Sequence, residues 1–196
     1  KANFPVEFMC ALLTSEKDNI DKIVEYINEA HRMRIPINPP DINESFAKFT
    51  VMGDSVRFGL SAIKNVGKGA IDSIINAREK FGKFDSIYTF CEHIDQRLVN
   101  RKVLESLIKS GAMDSLGMKR SQSMASLDKA LDMAGKVQKA RLNGQLSFFD
   151  KPRDETDIKD VFHETPDMEE WPEHQLLAYE KEMLGFYITR HPLARY

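Results

Sequence analysis

Hydrophobic side chains recur at three- and four-residue spacing along most of this chain, which is typical of helices with one buried face. The clearest run consists of Ile20, Ile23, Val24 and Ile27. Ser15 is a possible N-cap for this helix, with Asp18 three residues later, and the helix should stop before Pro36. The same spacing predicts further helices over residues 6–13, 61–66, 70–81, 86–94, 100–110, 121–142 and 173–184.

Other stretches break this helical pattern. The proline-rich residues 36–41 predict an extended connector, and residues 49–52 and 56–58 predict two strands of a small hairpin around Gly53-Asp54-Ser55. Four glycines are expected to end helices: Gly82, Gly111, Gly117 and Gly144. Residues 151–170 are polar, acidic and weakly periodic, which indicates a linker. The predicted fold class is mainly α with a small β-hairpin.

Composition places the chain among globular proteins, with 42% hydrophobic and 30% charged residues. The sequence has no apolar stretch of the roughly 20 residues needed to span a bilayer and no secretory leader. Cys10 and Cys91 are far apart without metal-ligand spacing, so we expect a reduced, cytoplasmic protein. The chain opens at Lys1 rather than at a methionine, and we therefore expect a piece of a longer protein.

The net charge of −2 hides a division of charge along the chain. Residues 57–120 contain 12 Lys and Arg against 7 Asp and Glu, a net of +5. Residues 150–182 contain 4 against 12, a net of −8. The middle of the chain is therefore suited to meet phosphate, and the later acidic region would be repelled by it.

The motif at residues 62–71 joins two predicted helices through Val66-Gly67-Lys68-Gly69. We expect the two glycines to turn the backbone with positive φ, exposing amide groups at the start of the next helix, where an anion is stabilised. Lys64 and Lys68 would add charge, and Asn65 lies between them. This is the helix-hairpin-helix arrangement, which holds a phosphate of duplex DNA without reading bases. The alternative is a tight turn between helices with no ligand.

A second turn of this kind is predicted near residues 104–114. A helix breaks there at Ser110-Gly111-Ala112, and Asp114 can cap the next element. Basic side chains cluster around this turn: Arg101, Lys102, Lys109, Lys119 and Arg120. Two such hairpins about 45 residues apart would form a tandem helix-hairpin-helix domain that contacts both strands of a duplex. With one glycine in place of two, a simple capped turn is the alternative.

A short aromatic peptide follows Gly144 at the edge of the acidic linker. It consists of Gln145, Leu146, Ser147, Phe148 and Phe149. Adjacent phenylalanines beside a solvated linker are typical of a protein-binding segment, in which the apolar side chains enter a pocket and the glutamine amide adds directional hydrogen bonds. The alternative is that Leu146 and the two phenylalanines pack on the core of their own domain.

The chain as a whole resembles the alpha-subunit family of bacterial DNA polymerase III. The resemblance extends over essentially all of it, from Phe4-Pro5-Val6 to His191-Pro192-Leu193. Its landmarks are residues 4–9, 12–16, 39–45, 57–60, 63–67, 100–109, 182–188 and 191–193.

This resemblance implies a non-catalytic region that binds duplex DNA behind the polymerase site. It implies a helical end of the fingers at residues 1–45 and a tandem helix-hairpin-helix domain at 46–142. A clamp-binding peptide and linker would follow at 143–170, and a helix leading to an OB-fold domain at 171–196. The implied partners are double-stranded DNA, the sliding clamp (beta subunit), which residues 145–149 would bind, and other polymerase III holoenzyme subunits. We expect no membrane partner, metal or cofactor.

The residues for polymerisation are not evident in this sequence, because no Asp-x-Asp pair flanked by strand residues occurs that would hold two metals. The family's catalytic aspartates lie upstream, and the parent protein would be a DNA-directed DNA polymerase. A rival hypothesis is a DNA glycosylase, an enzyme class that shares the hairpin and would need Asp85 or Asp95 for catalysis. We disfavour it, because neither residue follows the expected Gly/Pro-rich apolar stretch.

Overall fold

The computed structural model describes residues 3–16, 19–142 and 165–187. These residues are mainly helical with one small sheet, as the hydrophobic spacing predicted. The helices are α1 Pro5–Ser15, α2 Ile20–Arg32, α3 Lys68–Phe81, α4 Ile87–His93, α5 Arg101–Lys109, α6 Arg120–Leu142 and α7 Glu173–Leu184. Two short 3-10 helices cover Leu60–Ala62 and Asp114–Leu116. No helix within the described ranges is long and apolar enough to cross a membrane.

The sheet consists of β1 Ile37–Asn38, β2 Thr50–Met52 and β3 Ser55–Arg57, in the order β1-β3-β2. The predicted hairpin is confirmed: β2 and β3 are antiparallel, with Val51 opposite Val56. The predicted connector at residues 36–41 instead contains β1, which pairs in parallel with β3. This strand has only two residues, and its partner lies about 20 residues away along the chain, so local sequence does not reveal it.

Two helix predictions were wrong in detail. Ser15 does not cap α2, because its hydroxyl donates to the Leu12 carbonyl oxygen (2.9 Å) at the end of α1. Asn19 caps α2 instead, its side-chain oxygen accepting from the amide of Lys22 (3.2 Å). The helix predicted at residues 61–66 is only the 3-10 turn Leu60–Ala62, since the backbone at Ile63 is extended.

One buried core joins the first helices, the sheet and the later helices. Met9 and Leu13 of α1 lie in it together with Phe58. The rings of Phe58 and Phe186 approach to 5.6 Å between centroids. The core therefore extends across the segment boundaries that we predicted at residues 45 and 170, and α7 packs against α5 as part of the same structure.

The end of α7 supports the first predicted hairpin directly. Met183 and Leu184 are buried, and the amide of Lys64 donates to the Met183 carbonyl oxygen (2.9 Å). A segment that follows the acidic region thus holds the basic turn in place.

Gly59, between β3 and the first 3-10 helix, lies where two backbone segments approach closely. An added Cβ would stand 2.5 Å from the carbonyl carbon of Lys48 and 2.8 Å from the carbonyl oxygen of Ala47. We predict that Gly59→Ala lowers the free energy of unfolding by about 1–3 kcal/mol, the usual cost of overpacking, because backbone atoms cannot yield as a side chain does. Chemical denaturation measures this difference.

The matched control for Gly59→Ala is Gly67→Ala. An added Cβ at Gly67 meets nothing within 4 Å, and its φ of −78° suits any residue. Equal stability of the two variants would contradict the close backbone contact at Gly59.

Candidate nucleic-acid interface

The first predicted hairpin lies between the 3-10 helix Leu60–Ala62 and α3, with its apolar residues inside and its polar residues outside. Ile63, Val66 and Ala70 are buried, 2%, 6% and 4% exposed. The exposed residues are Lys64, Asn65, Gly67, Lys68 and Gly69. The three apolar side chains anchor the turn, which presents the other five residues to solvent. Val66, which we predicted as a contact residue, belongs to the anchor.

The sharp turn is made by Asn65 and not by the glycines. Asn65 has a φ of 66°, a left-handed conformation that asparagine tolerates better than most residues. Its side-chain amide donates to the Ser106 hydroxyl oxygen (3.1 Å) on α5. Gly67 has a φ of −78°, and Gly69 lies within α3. The prediction that positive φ at the two glycines forms the turn is therefore wrong.

Gly67 has a different role at the start of α3. It occupies the N-cap position, and no side chain caps the helix. The amides of Lys68, Gly69 and Ala70 have no acceptor among the described residues. Lys68 and Gly69 are exposed, and space is open where a Cβ of Gly67 would stand, so a ligand can approach the start of the helix from solvent. Lys64 and Lys68 flank this opening, and neither makes an ion pair within the described ranges.

At the N-terminus of α6, unlike that of α3, a side chain of the protein itself caps the first amides. The carboxylate of Glu170 accepts from the amides of Arg120 (2.7 Å), Ser121 (3.0 Å) and Trp171 (2.8 Å). Partial burial opposes the charge on Glu170, but these amides and the Ser121 hydroxyl outweigh it and hold the pKa of Glu170 below its ordinary value. The prediction that Glu170 ends a solvated acidic linker is wrong, because its carboxylate is bound to the start of α6. The sequence does not reveal this contact, since the partners lie about 50 residues earlier.

The second predicted hairpin is enclosed by the protein. Ser110, Gly111 and Ala112 are all buried. Their amides donate to the carbonyl oxygens of Ser106, Ile108 and Leu107, each at 3.0 Å. We predicted DNA contacts at these three residues, but neither their side chains nor their amides face solvent in the structure.

Basic residues near the second turn also have internal partners. The Arg120 guanidinium contacts Asp114 (2.7 Å) and Glu180 (3.3 Å), both through Nη2. Lys109 lies 3.7 Å from Glu182 and above the ring of Tyr179. These side chains join the turn to α7, and Lys109 is directed to that helix.

Arg101 and Lys102, the remaining predicted contacts, are exposed at the start of α5. Arg101 pairs with Glu105 (2.9 Å) and with Asp128 of α6. Lys102 makes no ion pair in the described part of the chain, and its carbonyl oxygen accepts from Ser106, the partner of Asn65. Lys102 is thus connected to the first hairpin through one hydroxyl group.

The predicted peptide residues Gln145, Leu146, Ser147, Phe148 and Phe149 lie outside the described residues, as does Gly144.

Comparison with known proteins identifies both the motif and the chain. Residues 34–123 match the family model of the helix-hairpin-helix motif. A DNA polymerase III subunit alpha from Saccharopolyspora erythraea is 40% identical over 98% of this chain. The same subunit from Thermus aquaticus is 40% identical, and that from Escherichia coli 41%, each over the whole chain.

This chain belongs to the DNA polymerase III alpha-subunit family.

The chain spans about one sixth of the length of these alpha subunits: 16%, 15% and 17% of the three relatives. Within this family segment, the open N-terminus of α3 is the described feature best suited to bind an anion.

The cap on α6 generates a prediction about pH. Because the pKa of Glu170 is lowered on folding, its ionised form stabilises the protein above its unfolded pKa of about 4.3, and this contribution is lost as the pH falls through the lower folded value. Glu170→Gln should therefore lower the free energy of unfolding at pH 7. The difference from the parent protein should shrink below about pH 4.

Denaturation curves across this pH range measure the effect, with Glu169→Gln as the matched control. Glu169 is exposed and adjacent in sequence. A deficit in Glu170→Gln that is constant from pH 7 to pH 3 would contradict a charge-dependent cap.

Proposed function

We propose that this chain binds duplex DNA without sequence preference, as the DNA-binding region of a bacterial replicative polymerase. The observation that carries the proposal is the exposed start of α3. Among the residues that the structure describes, the amides of Lys68, Gly69 and Ala70 have no acceptor there, and Lys64 and Lys68 make no ion pair. A DNA phosphate supplies what this site lacks, an anion with several acceptor oxygens. The names of the relatives, all DNA polymerase III alpha subunits, support the same assignment.

The contacts in this proposal come from one hairpin. Gly67 lets the phosphate approach, the amides of Lys68 and Gly69 donate to it, and the side chains of Lys64 and Lys68 add charge. Asn65 shapes the turn and holds it against α5 through Ser106. Backbone amides and lysine ammonium groups recognise phosphate and read no base edges, so affinity should depend on salt and not on sequence.

Lys102 and Arg101 are placed to assist the same duplex from the start of α5. Lys102 lies beside the hairpin, whereas the charge of Arg101 is shared with Glu105 and Asp128. We assign no DNA contact to Lys109 or to residues 110–112, which face the interior or α7. The binding that we propose requires no metal or cofactor, and polymerisation would belong to other parts of the whole protein.

The glycosylase alternative receives no support from the two aspartates that it requires. Asp85 accepts from the Thr89 hydroxyl (2.7 Å) beside the cap of α4. Asp95 accepts from Arg97, whose hydrogen bonds hold the pKa of this partly exposed carboxylate below its ordinary value. Both aspartates make local structural contacts. The absence of base release from damaged duplex would count further against this activity.

The second part of the proposal is that residues 145–149 bind the sliding clamp and thereby join the chain to the assembled holoenzyme. The family resemblance supports this assignment, as does the anchoring of the chain on both sides of the peptide. α6 ends at Leu142, and Gln122 of the same helix donates to the Pro166 carbonyl oxygen (2.9 Å). In sequence, the peptide therefore lies between Leu142, the last residue of α6, and Pro166, which α6 contacts. A clamp bound there would act close to the duplex.

For DNA binding, we predict that Gly67→Ala and the double variant Lys64→Glu with Lys68→Glu weaken duplex affinity at least about tenfold for all sequences alike. The methyl group obstructs the approach to the amides, and the charge reversals repel phosphate. The double variant should also reduce the salt dependence of binding by about one to two units in log–log slope. Fluorescence anisotropy with two unrelated duplexes at several salt concentrations measures both quantities.

The charge-matched control is Lys80→Glu with Lys83→Glu. Both lysines are exposed. Lys80 lies in the last turn of α3, about 18 Å from Lys68 along the helix axis, and Lys83 lies just beyond the end of the helix. Unchanged affinity in both hairpin variants, or an equal loss in the control, would overturn the assignment of DNA binding to the hairpin.

For the clamp, we predict that Gln145→Ala with Phe148→Ala and Phe149→Ala abolishes binding in a calorimetric titration, because the apolar anchors and the amide are removed. The thermal melt and the affinity for DNA should remain nearly unchanged. A matched control is Asp154→Ala with Asp157→Ala, in the same segment but outside the peptide. A large fall in melting temperature would instead indicate that the phenylalanines pack in the core.

A further inference from the structure

We infer that a groove between α6 and the segment before α5 is a second contact for the DNA backbone. This inference rests on the DNA binding proposed for the hairpin and extends it to Gly135, Lys136 and Lys139, which the sequence did not single out. The groove has a volume of about 500 Å³. Its lining includes Gln96, Asn100, Arg101, Gly135, Lys136 and Lys139.

The groove and the hairpin share one wall, the segment of residues 95–100. An added Cβ at Gly69 would stand 3.3 Å from Cδ2 of Leu98, so this segment lies against the start of α3. Two residues earlier, the side-chain amide of Gln96 donates to the Leu131 carbonyl oxygen (3.2 Å) of α6. A DNA strand whose phosphate binds the amides of α3 would therefore pass over Leu98, which is 48% exposed, and then reach the groove.

The relative position of the two sites is fixed by hydrogen bonds and not only by proximity. The side-chain amide of Gln138 donates to the carbonyl oxygens of Glu92 (3.1 Å) and Ile94 (3.0 Å), at the end of α4. The amide of Asp95 donates to the Ser73 hydroxyl (2.9 Å) of α3. Since α6 and α3 are both attached to the same short segment, the hairpin and the groove can bind one rigid duplex together.

The charge in the groove favours a phosphate. Lys136 and Lys139 are exposed and make no ion pair among the residues that the structure describes. Arg101 is held across the groove by Glu105 and Asp128, which orient its guanidinium but share its charge. Asp132 is the acidic member of the lining. The unpaired positive charge therefore comes from the two lysines, one helical turn apart on α6.

Gly135 provides an independent reason to expect a close ligand. A glycine inside a helix costs about 0.5–1 kcal/mol relative to alanine. Its φ is not positive, and an added Cβ would have only Gln96 Oε1 nearby, at an ordinary 3.8 Å. Neither the backbone conformation nor the packing requires glycine here. Its absent side chain keeps the bottom of the groove open beside the two lysines.

The test uses two variants of the chain that alter the groove in different ways. Lys136→Glu with Lys139→Glu reverses its charge, and Gly135→Leu fills it without changing the charge. We expect each to weaken duplex binding about three- to tenfold, and the double variant to reduce the salt dependence by about one to two units. Binding is measured by anisotropy with a 30-base-pair duplex, and thermal melts confirm that the variants are folded.

The controls separate this inference from the proposed function. Lys80→Glu with Lys83→Glu makes the same change in net charge outside the groove and should not weaken binding. If Gly67→Ala weakens binding while both groove variants bind as the parent does, the groove inference fails and the hairpin proposal stands. If the Lys80/Lys83 control weakens binding as much as Lys136→Glu with Lys139→Glu, the effect is one of overall charge, and the inference also fails. If the hairpin variants have no effect, the proposed function itself fails.

Discussion

Backbone amides at the start of a helix need acceptors, and this constraint distinguishes α3 from α6 and organises much of what surrounds them. At α6 the acceptor is internal: Glu170 reaches the amides of Arg120 and Ser121. For that contact to form, the chain must return to the domain after the acidic region. As a result, α7 packs against α5, and the carbonyl oxygen of Met183 at the end of α7 accepts a hydrogen bond from the amide of Lys64. One capped helix thus supports the hairpin whose own helix remains uncapped.

A buried ion pair between Arg120 and Glu180, joined by the half-exposed Asp114, also connects α7 to the rest of the domain. Arg120 and Glu180 have side chains only 11% and 4% exposed, and Asp114 completes the group. Burial opposes the charge on Arg120, but hydrogen bonds and attraction from the two carboxylates outweigh it and raise the pKa of Arg120. Such groups are stable when every member is satisfied, and removal of one partner leaves an uncompensated charge. Arg120 also lies against Gly111, so the group occupies the place where a second hairpin would meet a ligand.

The two hairpins of the motif are therefore unequal. Within the described part of the chain, the first presents amides without acceptors and lysines without ion pairs, whereas the second is filled by the protein's own carboxylates and carbonyl groups. In our proposal, the second contact with the duplex is made further along α6, where the groove beside Gly135 offers Lys136 and Lys139. In this proposal, DNA binding does not depend on base sequence, since every group involved contacts phosphate and none contacts a base. In the same proposal, the clamp-binding residues 145–149 follow in sequence the helix that lines the groove.

The sequence alone determined the features that depend on neighbours within a few residues. Hydrophobic spacing predicted α7 at residues 173–184 and the other long helices to within a few residues, and the resemblance identified the family. Tertiary structure decided the rest, including the strand β1, the left-handed turn at Asn65, the burial of residues 110–112 and the cap from Glu170. The strand, the turn and the cap each depend on a partner distant in sequence: β3 for the strand, Ser106 for Asn65, and α6 for Glu170. Helix periodicity is a local property, but whether an amide or a charge is satisfied depends on which distant group the fold brings to it.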